Sequence, residues 1–279
     1  MHDVLMITYR RAAFTRLSLT RLLETCDEQM RVWVWHNGTD AETIRVVKGF
    51  HGHPRLHHVE FSEVNKRLTE PTNWFWQNAR GDYLSKVDDD CLVPQDWGRT
   101  LRTALEDEPR FGIVGCWRFY PEDFDESLAG PKIRTFQKGH QLMVHGFTQG
   151  SGYLMRRSVL EHCGLLKRKE SFTTYCLRAA KAGWINGWYF PFLHEDHMDD
   201  ARSPNYPYSS EEEFQQNLSL SQINFGIRSL SDWQNFSRLQ ARHLQADRVN
   251  PANFFGIRGF ARRVLRRIRP QRRFWERKL

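Results

Sequence analysis

The chain has 279 residues, 40% of them hydrophobic and 13% aromatic with ten Trp, which is enough apolar surface for one substantial core and excludes a disordered chain. Its formal charge of +8 is uneven: Pro251 to Leu279 holds nine Arg and one Lys against the single Glu276, so the body is close to neutral and the basicity marks a separate tail. The longest uncharged apolar-rich run, Gly183 to Leu193, is too short to cross a bilayer, the Met1-His2-Asp3-Val4 start has no signal-peptide character, and the five scattered cysteines read as reduced thiols in a cytoplasmic protein.

Val4 to Tyr9 opens on four apolar residues and ends polar, as a buried parallel strand does. Arg10 to Cys26 places Phe14, Leu17, Leu19, Leu22 and Leu23 at helical spacing. A second strand, Arg31 to His36, is halted by Asn37-Gly38. Ala41 to Phe50 reads as a short helix, Leu56 to Phe61 as a third strand, and Pro71 to Ala79 as an aromatic-rich helix. Gly81-Asp82 then signals a turn into a strand that closes on Asp88, Asp89 and Asp90, with Pro94 barring regular pairing beyond it. This alternation predicts an α/β fold with a mostly parallel central sheet flanked by helices. Sheets of that kind bind ligands outside the carboxyl ends of their strands. Thr8-Tyr9-Arg10, Asn37-Gly38-Thr39-Asp40 and Asp88-Asp89-Asp90 all fall at such ends, as a nucleotide pocket requires.

Three adjacent carboxylates repel one another, and hard divalent cations take oxygen ligands. Along an extended segment Asp88 and Asp90 point to one side and Asp89 to the other, which makes an Asp-x-Asp clamp for Mn²⁺ or Mg²⁺. A solvated acidic turn is the other reading.

The succession Thr-Tyr-Arg, Asn-Gly-Thr-Asp, then Gly-Asp-Tyr-Leu and Asp-Asp-Asp before Pro94 resembles the nucleotide-sugar-binding half of family 2 glycosyltransferases of the GT-A fold. The resemblance implies a single GT-A-like catalytic domain over residues 1–205, its nucleotide-binding half ending near 94 and its acceptor half spanning 95–205. It implies a nucleoside diphosphate sugar as donor, usually a UDP-sugar, held through a bound metal. Thr8, Tyr9 and Arg10 would then line the base and ribose site, and Asp40 would accept a hydrogen bond from the base. Asp88 would face the ribose or the metal, Asp90 would ligate the metal, and Asn37 and Asp89 count among the donor-binding residues.

Further on, Trp97 to Leu105 reads as a helix and Phe111 to Trp117 as a strand. Tyr120 to His140 reads as a loop long enough to serve as an acceptor-facing lid. Gly146, Gly150 and Gly152 precede a strand at Tyr153 and the helix Ser158 to His162. Either they bring backbone close to the sugar or diphosphate, or they are ordinary turn residues. Ser171 to Gly183 resembles the helix that follows the family's catalytic Glu-Asp pair. That pair should fall near Ser171 and Phe172, neither of which is acidic, and Glu170 is the nearest carboxylate.

The strand-like run Trp188 to Leu193 leads into the densest polar cluster, His194-Glu195-Asp196-His197-Met198-Asp199-Asp200. The resemblance implies that His194 is a metal or diphosphate ligand, and imidazole with carboxylates suits Mn²⁺. An inverting displacement needs one base for the acceptor hydroxyl, and Glu195, Asp196 and Glu170 are the candidates, in no firm order. A surface acidic loop is the other reading of this cluster.

Ser210 and Glu213 form a capping box for a helix through Leu220, and a second helix covers Ser231 to Ala246; together they make a helical extension over 206–250. In the tail, 251–279, Asn253 to Ile268 sets Phe254, Ile257, Phe260 or Ala261, Val264, Leu265 and Ile268 on one helical stripe among arginines. A cationic amphipathic helix suits an anionic membrane surface, with RNA binding or docking onto the body as rival readings. The whole implies a metal-dependent glycosyltransferase peripheral on the inner membrane. It would act on a glycan or lipid-linked glycan acceptor in bacterial surface polysaccharide synthesis. A GT-A-like nucleotidyltransferase and a non-catalytic membrane or nucleic-acid adaptor are the alternatives, nucleic acid being the less favoured partner.

Overall fold

The computed structural model describes residues 1–256 and Gly259. The first half alternates strictly: β1 (His2–Thr8), α1 (Ala12–Glu24), β2 (Met30–Asn37), α2 (Ala41–Lys48), β3 (Leu56–Ser62), α3 (Thr69–Asn78) and β4 (Tyr83–Asp88). The two-residue strand β5 (Cys91–Leu92) follows, then α4 (Trp97–Asp107) and β6 (Phe111–Gly115). Next come α5 (Glu126–Ala129), β7 (Ile133–Thr135), β8 (Gln141–His145), β9 (Tyr153–Arg156), α6 (Arg157–Cys163), α7 (Phe172–Lys181) and β10 (Ile185–Phe190). The helices α8 (Glu211–Gln216), α9 (Leu220–Phe225) and α10 (Leu230–Ala246) complete the described elements.

Two compact units result: residues 1–118 with 132–196, and residues 119–131 with the chain from 197 onward. The first is an α/β body. Among the described residues its sheet has nine strands in the order β3-β2-β1-β4-β9-β6-β10-β8-β7. The strands β1 to β4 run parallel, as does β10 beside β6. The exceptions are β9, antiparallel to both β4 and β6, and the edge pair β8 and β7.

Every residue of β1 is buried, because helices cover both faces of the sheet. The strand period of two sorts its side chains. Val4 and Met6 join Val32, Val34, Leu19, Leu22, Trp97 and Leu101 on one face, whereas Leu5 and Ile7 join Trp33, Trp35, Phe75, Tyr153 and Tyr175 on the other. At the amino ends of the strands the fully buried Asp3 carboxylate gathers five donors: Arg31 Nε (2.9 Å) and Nη2 (3.1 Å), Trp33 Nε1 (3.0 Å), and the backbone N–H of Arg80 (3.1 Å) and Gly81 (2.6 Å). Gly81 has to be glycine here, since a Cβ would lie 2.7 Å from the Met1 carbonyl oxygen and 2.8 Å from Asp3.

Residues 120–140, expected as one loop, contain short helical turns and β7, which pairs with β8 at the sheet edge. The same stretch divides between the two units, with 119–131 belonging to the second. In that unit Arg202 binds Asp200 through Nε (2.9 Å) and Nη2 (2.8 Å) and Asp123 through Nη1 (2.9 Å). Gln245 accepts from the Asp125 N–H and donates to the Asp123 carbonyl, each at 2.7 Å. Phe214, Ile227, Trp233 and Phe236 form its apolar centre. The helix expected to run unbroken to Leu220 stops at Gln216, and α9 begins afresh with Ser219 as its cap, accepting from the Gln222 N–H. No helix among the described residues is long and apolar enough to cross a membrane. The arginine stripe from 258 to 273 lies outside the described residues.

Candidate active site

At the carboxyl ends of β1 and β2 an open cavity of about 470 Å³ is lined by Tyr9, Arg10, Gly38, Thr39, Asp40, Glu63 and Asn65. Gly38, at φ +85°, turns the chain against the Tyr9 ring, 3.5 Å from where a Cβ would stand. Arg10 also takes a left-handed conformation (φ +52°) and sets its guanidinium 5.1 Å from the centroid of the Tyr9 ring. Asp40 caps α2: one carboxylate oxygen accepts from the Thr43 hydroxyl (2.5 Å) and N–H (2.9 Å). These two bonds, the hydroxyl first, hold its pKa below the ordinary carboxylate value.

Two further expected nucleotide residues are bonded within the protein instead. Thr8 is buried and its hydroxyl meets His36 Nδ1 at 2.9 Å. Asn37 accepts from the Trp35 indole (3.1 Å) and the Lys66 N–H (2.9 Å) and donates to the Arg67 carbonyl (3.1 Å). It therefore fixes the 63–67 segment that supplies Glu63 and Asn65 to the cavity wall.

The aspartate triplet closes β4, but the strand ends at Asp88 and the next two residues form a turn. The alternation expected for an extended segment stops there. Asp89 and Asp90 both bond to the β1–α1 junction: Asp89 accepts from the Tyr9 N–H (3.2 Å) and the Thr15 hydroxyl (3.4 Å), and Asp90 from Arg11 Nη1 (2.7 Å). Asp88, half-buried, pairs with Lys86, whose side chain is 6% exposed. Burial, and then the neighbouring Asp90 charge, push the Asp89 carboxyl up to about 8. Ionisation of all three carboxylates together is therefore disfavoured, and their oxygen donors suit Mg²⁺ or Mn²⁺.

A hydrogen-bonded chain links this strand end to the second polar cluster. The Asp88 N–H donates to Ser151 Oγ (2.9 Å), and Ser151 Oγ donates in turn to Glu195 Oε1 (2.5 Å). Gln149 Nε2 donates to Glu195 Oε2 (2.6 Å) and accepts from the Trp188 indole through its own oxygen (3.3 Å). Glu195 is fully buried and packs against Gly152, where a Cβ would stand 2.7 Å from the carboxylate carbon and both its oxygens. Gly152 (φ +59°) accordingly makes room for a carboxylate, a role beside the two that the sequence left open, approach to sugar or diphosphate and ordinary turn chemistry.

His194 is brought to the end of β6 by a parallel bridge to Trp117, with the Trp117 N–H donating to Leu193 O (2.8 Å) and the Glu195 N–H to Trp117 O (3.0 Å). Asp196 is half-buried. Glu170 lies in a different setting, its carboxylate held by Arg178 Nε (3.1 Å) and Nη2 (2.7 Å) and by the Lys167 N–H (2.9 Å). Arg11, Lys86, Gln149 and Ser151 are the participants that sequence reasoning missed. Lys86 alone left a signal, as a cation two residues before Asp88 in an apolar strand and hence on the same side.

Three comparisons bear on this geometry. The sequence model of glycosyl transferase family 2 matches residues 3–164. The uncharacterized glycosyltransferase YfnE of Bacillus subtilis (strain 168) is 31% identical over 108 residues, which is 37% of this chain and 27% of that relative, so the shared stretch spans about a quarter of its length. The mannosyltransferase PcManGT from Pyrobaculum calidifontis, solved with GDP-Man and Mn²⁺, superposes with a TM-score of 0.56 at 16% identity, covering 98% of this chain and 82% of that one. Residues 1–349 of S. aureus TarS, solved with UDP-GlcNAc, give a TM-score of 0.54 at 16% identity over 91% and 75%. At such identities the two structures speak to the fold alone.

Proposed function

Because the chain belongs to glycosyl transferase family 2 and is a glycosyltransferase of GT-A architecture, we propose that it moves a sugar from a nucleoside diphosphate donor to an acceptor hydroxyl with inversion. The observation that carries this reading is the convergence at the strand ends. The cavity of Tyr9, Arg10 and Asp40 meets the aspartate triplet through the Tyr9 N–H to Asp89 bond, and Ser151 ties the triplet to Glu195.

In this mechanism Tyr9, Arg10 and Asp40 hold base and ribose, with a UDP-sugar as the first donor to test. Asp88 and Asp90, with His194, would hold Mn²⁺ or Mg²⁺, which when bound offsets the charge growing on the leaving diphosphate. The acceptor oxygen attacks the anomeric carbon as the bond from that carbon to the diphosphate oxygen breaks, and the electron pair leaves with the nucleoside diphosphate. Of the three candidate bases, Glu170 is occupied by Arg178, and Glu195 is sealed from solvent with both oxygens bonded. Asp196, half-buried beside it, takes the acceptor proton, and Glu195 acts as a positioning residue. The basic tail supports an inner-membrane location and a lipid-linked glycan acceptor of bacterial surface polysaccharide.

The test is a donor screen on the full chain, following release of nucleoside diphosphate with and without Mn²⁺. One nucleotide-sugar should be consumed only with the cation. Release of pyrophosphate would identify a nucleotidyltransferase, and a complete lack of nucleotide binding would identify an adaptor.

A further inference from the structure

We infer that the turn Lys167-Arg168-Lys169 is a docking site for a phosphate-bearing acceptor. The inference deepens the transferase reading and depends on it. Three consecutive cationic residues stand exposed between α6 and α7, and none of their side-chain heads has an ion-pair partner among the described residues. Cations at the end of one turn, whose neighbouring carboxylate Glu170 is itself paired with Arg178, fit an anionic ligand.

The turn is held from below. The Glu170 carboxylate accepts from the Lys167 N–H, the Glu170 N–H donates to Lys167 O (2.9 Å), and the same carboxylate binds Arg178. Arg178 also donates to the carbonyls of Cys163 and Leu165. Asn73 of α3 clamps the approach to the turn in both directions, donating to Leu166 O (2.9 Å) and accepting from the Leu166 N–H (3.0 Å). Little ordering remains to be done when a ligand arrives.

Its place in the fold ties it to the reaction. The helix α6 climbs from the carboxyl terminus of β9, which lies beside the amino end of β4, and α7 descends to the start of β10, so the turn between them stands on the carboxyl-end rim. Tyr153 pairs across the sheet with Lys86, two residues before Asp88, and its ring stacks on Phe172, the first residue of α7, at 4.1 Å. Lys169 lies three residues from Phe172, about 10 Å of chain at most. A phosphate on the acceptor would therefore sit near, but outside, the reacting centre. Close to where the resemblance leads one to expect the catalytic Glu-Asp pair, this chain uses Glu170 to brace a cationic turn. An anionic bilayer is the less suitable occupant: three charges on one tight turn offer little area, and the tail already supplies ten cations.

The experiment compares the full chain with its Lys167→Gln, Arg168→Gln, Lys169→Gln variant. The probe is a short poly(glycerol phosphate) chain, with oligoglycerol as neutral control and phosphatidylglycerol vesicles as the lipid arm. Both proteins keep the same tail, so its contribution cancels. The expected result is a loss of about 10-fold in affinity for the phosphate chain, three exposed charge contacts each contributing a few-fold. Oligoglycerol, vesicle and nucleotide binding should not change. Equal affinity of the two proteins for the phosphate chain overturns the inference, as does a parallel loss on vesicles or a loss on vesicles alone. If the unaltered chain binds no nucleotide at all, the transferase reading fails instead, and the acceptor assignment falls with it.

Discussion

The two ends of the central strands hold the same residue type in opposite conditions. At the amino ends one aspartate, Asp3, collects five donors between 2.6 and 3.1 Å and is closed to solvent. At the carboxyl ends three aspartates sit side by side, and Asp89, half-buried next to Asp90, has two hydrogen bonds at 3.2 and 3.4 Å. A saturated carboxylate is a joint; an undersupplied cluster is a receptor for positive charge. Sequence position alone does not separate them, because both lie in apolar strands of the same sheet.

The largest effect should come from breaking the joint. Asp3→Ala leaves the Trp33 indole, two buried backbone N–H groups and Arg31 without their partner, and should cost about 3–5 kcal/mol of stability. Chemical denaturation measures this, and turnover per folded molecule should be unchanged. Loss of turnover without loss of stability would mean that the two ends are not functionally distinct.

Breaking the receptor should do the reverse. Asp90→Ala removes a carboxylate that accepts from Arg11 at 2.7 Å and should lower transfer by about 10²–10³-fold or more, with circular dichroism and thermal midpoint close to those of the parent chain. Near-normal turnover would remove the triplet from the reaction. A third change probes the wiring between the triplet and Glu195. Gly152→Ala places a methyl 2.7 Å from the Glu195 carboxylate at φ +59°, so the strand end and the carboxylate must separate. The expected cost is about 1–3 kcal/mol in stability and about 10–100-fold in turnover, read by denaturation and by steady-state kinetics.

The contrast also explains what the sequence disclosed. The parallel half of the sheet was legible because each strand is an apolar run closed by a turn signal, and strand ends are where polar clusters become visible, as Thr8-Tyr9-Arg10 and Asp88 to Asp90 were. The edge pair of β7 and β8 was not, since three- and five-residue strands within a stretch rich in Pro, Gly and Lys carry too little period. Gln149 and Ser151 could not be read either: their importance arises from tertiary contact with Glu195, 46 and 44 residues away. Glu170 shows the converse. Its proximity to an expected catalytic position was legible, but only the fold shows its carboxylate committed to Arg178.

The smallest predicted effect concerns pH and again sets the amino-end side of the sheet apart. His145, which pairs with Asn186 near the start of β10, is buried beside Phe147 and Trp188, and burial, then the Lys132 charge, bring its pKa down to about 3. His2, closed against Trp97, is lowered by burial as well. In the unfolded chain both histidines titrate near 6.5. Between about 3 and 6.5 the unfolded state therefore binds more protons than the folded one, so stability falls as pH drops through this window and is fully present above it. Each such group contributes at most about 1.4 kcal/mol per pH unit. His145→Gln should flatten the acid limb of a plot of denaturation midpoint against pH by about one group's share, leaving the limb above pH 7 in place. An unaltered slope between pH 4 and 6 would show that His145 protonates as readily in the folded chain as in the unfolded one.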